Sequence, residues 1–213
     1  MARELEGKRV AILMTKGFEQ EELFRPKQAL EDAGATVDII SPIPEKVRGW
    51  DHTDWGDEVA VDVPLDQAHV ESYDALMLPG GVMNPDKLRM EQKAVDFVRA
   101  FFDEGNPVAA ICHAPWMLVE AGVLKNRTLT SYWSLQTDVR NAGGEWVDRE
   151  VVVDGNLVTS RNPDDIPAFN RHMVLLFAAG AGEYRKQFGQ RMEEEEGEPH
   201  RGEKIPERDE YLV

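Results

Sequence analysis

The chain has 213 residues, 42% of them hydrophobic, and its 40 acidic side chains against 24 basic ones give a formal net charge of −16. Binding to nucleic acid or anionic lipid needs a surplus of Lys and Arg, so we expect no stable nucleic-acid or membrane binding. The single cysteine excludes an intramolecular disulfide, and without a CxxC or Cys/His cluster we expect no metal and no cofactor.

The first predicted elements alternate between strand and helix. An apolar run predicts a strand over residues 8–14, and helical spacing follows over residues 21–33. β-Branched residues then predict a second strand over 35–40. Two short strands, 46–50 and 58–63, flank a polar loop, which indicates a small antiparallel insertion at the edge of the main sheet.

The rest of the chain continues the alternation. Its predicted strands and helices are, in chain order, strand 75–78, helix 91–104, strand 108–111, helix 115–121, strand 127–130, helix 136–141, hairpin 151–159 and helix 163–179. Short apolar strands between helices predict an α/β fold: a three-layer α/β/α sandwich around a mostly parallel, flavodoxin-like sheet. In such sheets ligands bind at the carboxyl ends of the strands.

The composition divides the chain into two parts. We predict one α/β domain over residues 1–180 and an acidic, polar C-terminal tail over residues 181–213 that is disordered or docked on a partner subunit. The N-terminus has no signal-peptide pattern, so we predict a cytoplasmic location. The acidic surface fits either an ordinary acidic protein or one adapted to a high-salt cytoplasm.

The most informative segment surrounds Cys112. A buried strand ends just before the cysteine, small residues Ala110 and Ala114 flank it, and Pro115 suits the first turn of a helix. This strand–turn–helix pattern is typical of a nucleophile elbow. A thiol at a helix N-terminus next to the His113 imidazole is expected to have a lowered pKa. The alternative is that Cys112 is only a small buried apolar residue.

Two further candidates follow other predicted strands. Gly80 and Gly81 come directly after strand 75–78, where glycines let backbone N–H groups approach a ligand as an oxyanion hole does. Glu19 follows the first strand and is expected at the same edge of the sheet. An acidic residue at this place also suits a helix cap, and Glu21 and Glu22 compete with Glu19 for any chemical role.

These segments together resemble the PfpI family of intracellular cysteine hydrolases. This family is a branch of the parkinsonism-associated deglycase superfamily, includes bacterial general stress proteins, and has the class I glutamine amidotransferase-like fold. The resemblance covers about residues 8–179, and it rests on the segments GFEQEEL (17–23), ALMLPGG (75–81), AICHAP (110–115), LTSY (129–132) and AGGEWVD (142–148).

The resemblance implies roles for particular residues. It makes Cys112 the nucleophile and His113 the general base. It makes Glu19 the carboxyl that hydrogen-bonds the cysteine sulfur, and the backbone N–H groups of Gly81 and His113 the oxyanion hole. In this branch a carboxylate from a neighbouring subunit orients the histidine, and Asp86 matches it, so a homodimer or larger homo-oligomer is implied.

The implied function is a cysteine-dependent stress-response hydrolase of deglycase or glutathione-independent glyoxalase type. Its substrates would be methylglyoxal, glyoxal or their adducts on proteins. The alternatives are an intracellular cysteine peptidase with a Cys-His-acid triad, or a non-enzymatic redox sensor or chaperone. A glutamine amidotransferase is excluded. Enzymes of that class have a histidine late in the chain with a glutamate two residues after it, whereas here His172 is followed by Met173 and Val174.

Overall fold

The structure, a computed structural model, describes residues 3–195 and the side chains of residues 3–188. The described chain contains strands β1 (Arg9–Leu13), β2 (Thr36–Ser41), β3 (Lys46–Asp51), β4 (Asp54–Ala60), β5 (Val63–Pro64), β6 (Ala75–Leu78), β7 (Val108–Ile111), β8 (Thr128–Leu129), β9 (Glu145–Trp146), β10 (Val151–Asp154) and β11 (Leu157–Ser160). Its α-helices are α1 (Gln20–Asp32), α2 (Met83–Leu88), α3 (Gln92–Asp103), α4 (Pro115–Ala121), α5 (Gln136–Asn141) and α6 (Ile166–Glu195).

Seven of the strands form one sheet in the order β10-β11-β7-β6-β1-β2-β5. The pairs from β11 to β5 are parallel, and only the edge strand β10 runs antiparallel to its neighbour β11. The prediction of an α/β fold with a mostly parallel sheet is confirmed. As a result, the carboxyl ends of β1, β6, β7 and β11 lie side by side at one edge.

Helices cover both faces of this sheet, because its strand residues alternate between two apolar clusters. In β1, Val10 and Ile12 join the cluster that α1 and α6 cover, whereas Ala11 and Leu13 join the cluster that α3, α4 and α5 cover. All four side chains are fully buried. Each large apolar side chain removed from water in this way stabilises the fold by about 1.5–3 kcal/mol.

The predicted antiparallel insertion forms the two-stranded sheet β3–β4. The predicted strand 58–63 is divided, since β4 ends at Ala60 and Val63 begins β5, which pairs with β2 in the main sheet. Sequence analysis missed two other features. These are the short helix α2 and the pairing of β8 with β9, in which each strand has too few residues to show a period.

The last helix is longer than predicted. It begins at Ile166, bends at Gly180, where φ is +70°, and continues to Glu195. Beyond the bend Tyr184 is buried, and its hydroxyl lies 2.5 Å from His172 Nδ1 in the same helix. Residues 181–195 of the predicted tail are therefore helical. Residues 196–213 lie outside the described residues, so the division at residue 180 stays a prediction.

None of the helices in the described part of the chain combines the length and the apolar character that a membrane span requires.

Candidate active site

Cys112 occupies a strained turn between β7 and α4. Its φ is +62°, in the left-handed region that non-glycine residues rarely adopt and that costs about 1–3 kcal/mol. Two backbone hydrogen bonds hold it there: its N–H donates to Ser160 O at 3.0 Å, and its carbonyl accepts from Tyr132 N at 2.8 Å. The thiol is free and the residue is buried, so the turn presents the sulfur at the carboxyl edge of the sheet.

The loop after β6 lies directly against this turn. A Cβ on Gly80 would lie 2.7 Å from Cys112 Cβ and 2.5 Å from Glu22 Oε2, so only glycine allows this approach. Gly81 has a φ of +76° and also lacks room for a Cβ. The backbone N–H groups of Gly81 and His113 both donate to the Cys112 sulfur, and each of these hydrogen bonds lowers the pKa of the thiol. Two amide donors thus converge on one point.

The carboxyl beside the sulfur belongs to Glu22. This residue lies in the first turn of α1 and is fully buried. Its Oε2 accepts a hydrogen bond from Gly80 N at 3.1 Å, and a side-chain hydrogen bond couples the carboxyl to the Cys112 thiol. The other carboxyl oxygen, Oε1, is buried without a hydrogen-bond partner among the described residues. Burial raises the pKa of Glu22 to about 8.

The assignment of the sulfur-binding carboxyl to Glu19 was therefore wrong. Glu19 precedes α1, and its backbone is fixed between Gly80 and Trp50, which leaves its carboxyl in the electrostatic field of His52 and Asp51. Burial raises the pKa of Glu19 as well.

A sequence signal for Glu22 existed. Glu22, Pro26 and Leu30 are buried at a spacing of four residues, which places the three on the face of α1 that meets the sheet.

His113 contacts the sulfur through its own ring. Nδ1 lies 3.1 Å from Cys112 Sγ, and Nε2 lies 3.3 Å from Ser134 Oγ. The imidazole stacks on Tyr132 with ring centroids 4.4 Å apart, and Trp116 packs nearby at 5.4 Å. Burial lowers the pKa of His113 to about 4, so the ring is neutral near pH 7 and available as a base.

The thiol does not have the lowered pKa that its place before a helix predicted. Burial and the nearby Glu22 charge raise the pKa of Cys112, and they outweigh the amide donors of Gly81 and His113. The first turn of α4 is too weak a dipole to reverse this. A hydrogen bond from the thiol in turn lowers the pKa of Glu22, but it does not offset burial, so the carboxyl and the thiol are both protonated near pH 7.

Asp86 lies on the exposed side of α2. Within the part of the chain that the structure describes, it forms no hydrogen bond or ion pair with His113. The neighbouring Lys87 has a lowered pKa, because burial and the charge of Lys16 lower it by more than the charge of Asp86 raises it. One protomer therefore does not bring Asp86 to the imidazole, and a contact across an interface stays a prediction.

Sequence analysis gave Asn84 no role, although the structure places it at the site. This residue is buried, and its Oδ1 accepts from Thr15 N at 2.7 Å while its Nδ2 donates to Pro79 O at 2.8 Å. It thereby fixes the end of β1 to the loop that contains Gly80. The only sequence signal was a polar side chain shortly after the glycine pair.

No group of three or more His, Cys, Asp or Glu side chains is placed to hold a metal ion among the described residues.

The comparisons with known proteins agree with this architecture. The DJ-1/PfpI family model matches residues 8–176. General stress protein 18 of Bacillus subtilis is 43% identical over 172 residues, which cover 80% of this chain and 98% of that protein. Deglycase PfpI of Pyrococcus furiosus is 44% identical over 168 residues, covering 79% and 98% of the two chains.

Two further matches extend the comparison. A Bacillus subtilis protein with the provisional name of cysteine protease YraA is 40% identical over 170 residues, which cover 80% of this chain and 98% of that protein. The crystal structure of Drosophila melanogaster DJ-1beta superposes with a TM-score of 0.74 at 27% identity and covers 90% of this chain and 98% of that one.

Proposed function

The chain belongs to the DJ-1/PfpI family, and from that premise we propose that it is a cysteine-dependent hydrolase acting on methylglyoxal, glyoxal or their adducts on proteins. The observation that supports this best is the convergence of two amide N–H donors, a buried carboxyl and a neutral imidazole on the Cys112 sulfur. A relative named as a deglycase is similar over almost its whole length.

The proposed reaction begins with addition to an aldehyde. The Cys112 sulfur forms a bond to the carbonyl carbon, and the electron pair of the C=O π bond moves to the oxygen. The N–H groups of Gly81 and His113 stabilise that oxyanion, and His113 takes the thiol proton and delivers it to the oxygen to give a hemithioacetal. This restores the neutral imidazole, and Glu22 is the carboxyl beside the sulfur, the position that Glu19 was predicted to have.

With methylglyoxal the second stage is an internal redox exchange. His113 removes the hydrogen of the hemithioacetal carbon as a proton and returns a proton to the adjacent carbon, while the hemithioacetal hydroxyl proton passes to the former ketone oxygen, which converts the adduct into a thioester of lactate. Water hydrolyses the thioester, releases lactate and restores the thiol. The sum is methylglyoxal plus water to lactic acid, so no external oxidant or reductant is needed.

We expect Cys112→Ala to abolish lactate formation from methylglyoxal, because no other thiol is present in the chain. The measurement is enzymatic determination of lactate at fixed protein concentration, with Cys112→Ser as a near-isosteric second variant. The proposal fails if the wild-type protein forms no lactate, or if Cys112→Ala forms it at the wild-type rate.

The alternative function is that of a peptidase, which the provisional name of the YraA relative supports. The same sulfur and amide donors would then stabilise a tetrahedral intermediate at a peptide carbonyl. Peptide hydrolysis that Cys112→Ala removes, with no lactate formed by the wild type, would favour the peptidase.

We also propose that the protein forms a homo-oligomer in a reducing, cytoplasmic compartment. Val82 and Met90 lie on either side of Asp86 in the sequence, and both side chains are exposed, Met90 to 76%. Apolar side chains around an exposed carboxylate suit a contact between subunits. Sedimentation at several protein concentrations measures such an association.

A further inference from the structure

Both ring nitrogens of His113 have side-chain partners within one chain. Nδ1 lies 3.1 Å from Cys112 Sγ, and Nε2 lies 3.3 Å from Ser134 Oγ. We propose that Ser134 is a positioning residue that fixes the His113 imidazole so that Nδ1 accepts the proton of the Cys112 thiol. This proposal rests on the proposed role of Cys112 as a nucleophile.

Proton positions follow from the two contacts. When the thiol donates to Nδ1, the neutral ring must carry its own proton on Nε2, and Ser134 Oγ is the acceptor within reach. As Nδ1 takes the thiol proton, the electron pair of the S–H bond stays on sulfur. The imidazolium then donates from Nε2 to Ser134 Oγ, and Ser134 keeps its own proton throughout. The hydroxyl thus favours the ring orientation and tautomer that the reaction needs.

The aromatic neighbours cannot supply this selection. Stacking on Tyr132, with an interplanar angle of 25°, and packing near Trp116 fix the plane of the imidazole. They do not determine whether Nδ1 or Cδ2 faces the sulfur, because a flip of the ring exchanges these two atoms within the same plane. Only hydrogen bonds at the ring edge distinguish the two orientations, and at Nε2 the bond comes from Ser134.

The location of Ser134 suits a chemical role better than a structural one. It lies in the short turn Trp133–Leu135, is exposed, and its described hydrogen bond is the one to His113. Removing the hydroxyl therefore leaves no buried polar group without a partner except the imidazole nitrogen. Ser134 supplies this contact within one chain, and the contact predicted for Asp86 across an interface stays a separate prediction.

The test measures the rate at which iodoacetamide alkylates Cys112, which reports on this site alone because the chain has one cysteine. We expect Ser134→Ala to slow alkylation at pH 7 about three- to tenfold, the effect of one lost neutral hydrogen bond. Ser134→Thr keeps the hydroxyl and should stay within about twofold of the wild type. Thr137→Ala, which removes another exposed hydroxyl nearby, is the matched control and should not change the rate.

A second variant separates positioning from simple support of the fold. Ser134→Asp places a carboxylate at Nε2, which favours the imidazolium, so the lower limb of the rate–pH profile should move up by about one pH unit or more. The proposal is overturned if Ser134→Ala reacts at the wild-type rate, if Ser134→Thr is slowed as much as Ser134→Ala, or if Ser134→Asp leaves the profile in place.

Alkylation needs no carbonyl substrate. A wild-type protein that forms no lactate would contradict the proposed function, and the alkylation series would still decide the role of Ser134.

Discussion

At the scale of single residues, the site joins two buried acids that are both protonated near pH 7. The Glu22 charge raises the pKa of the Cys112 thiol, whereas a hydrogen bond from the thiol lowers the pKa of Glu22 without offsetting its burial, so the site cannot readily hold two anions. Gly80 N–H donates to the carboxyl, Gly81 N–H to both the carboxyl and the sulfur, and His113 N–H to the sulfur. The thiolate therefore forms as the neutral imidazole of His113 takes the thiol proton, which suits a base that must later return it.

The raised pKa of Glu22 predicts a pH dependence of stability. Burial raises this pKa from 4.5 to about 8, so the folded protein holds the proton more tightly than the unfolded chain does. This contribution to stability is complete below pH 4.5 and is lost as the pH rises through 8. In Glu22→Gln the side chain cannot ionise, so the variant lacks this part of the dependence of its free energy of unfolding on pH. The wild type should lose on the order of 3 kcal/mol relative to the variant.

The measurement is urea unfolding at pH 5 and pH 8. The neighbouring Glu21→Gln serves as the control, since that side chain is 37% exposed and should give the wild-type dependence on pH. Parallel losses of stability in wild type and Glu22→Gln would contradict a buried, protonated Glu22.

At the scale of elements, the site exists because parallel strands end side by side. The turn after β7 supplies Cys112, the loop after β6 supplies the amide of Gly81, and α1, which follows β1, supplies Glu22. Asn84 ties the loop after β6 to the end of β1. The distance between loop and turn is set by the missing side chain of Gly80, so a methyl group at this position acts on both elements at once.

We expect Gly80→Ala to destabilise the protein by about 1–3 kcal/mol and to slow alkylation of Cys112. The new Cβ would lie 2.7 Å from Cys112 Cβ and from Ile111 O, distances that the backbone can relieve only by moving the loop away from the turn. Gly182→Ala is the matched control, because its Cβ meets nothing within 4 Å and it lies within α6. That variant should gain about 0.5–1 kcal/mol.

Urea unfolding and alkylation rates of the two variants test this. A Gly80→Ala protein as stable and as reactive as the wild type would show that the close approach is not needed.

The sequence predicts the site residues that a local pattern places, and it does not predict those that are placed by contacts between distant segments. Cys112 and Gly81 lie where short strands end, and that local pattern predicts their place at the sheet edge. Glu22 was missed because the choice among three nearby carboxyls depends on the phase of α1 relative to the sheet. Ser134 acts on His113 from 21 positions away, and no local pattern carries such a contact. The fold was more predictable, because alternating apolar strands and helices determine the layers directly.

At the scale of the whole molecule, the site is sensitive to global folding. Glu22, Gly81, Cys112 and Ser134 come from four separate segments, so they meet only when β1, β6, β7 and the segment after β8 are assembled. The free energy that keeps them together must also overcome the repulsion within a chain of net charge −16. The surface ion pairs of the described residues offset little of this; Lys93 and Asp66, for example, are both more than 70% exposed.

Self-repulsion of this size predicts that salt stabilises the protein. Raising KCl from about 0.05 M to about 2 M shortens the Debye length from more than 10 Å to less than 3 Å, so repulsion between surface carboxylates is screened. We expect the melting temperature at pH 7.5 to rise by about 2–8 °C, as a gain of about 1–2 kcal/mol implies for a chain of this size. The control is the same pair of salt concentrations near pH 4.7, the isoelectric point, where little net charge remains to be screened.

Thermal unfolding followed by circular dichroism measures the melting temperature at both pH values. An equal rise at the two pH values would assign the effect to general ion exclusion, and a fall at pH 7.5 would show that favourable ion pairs outweigh the net repulsion.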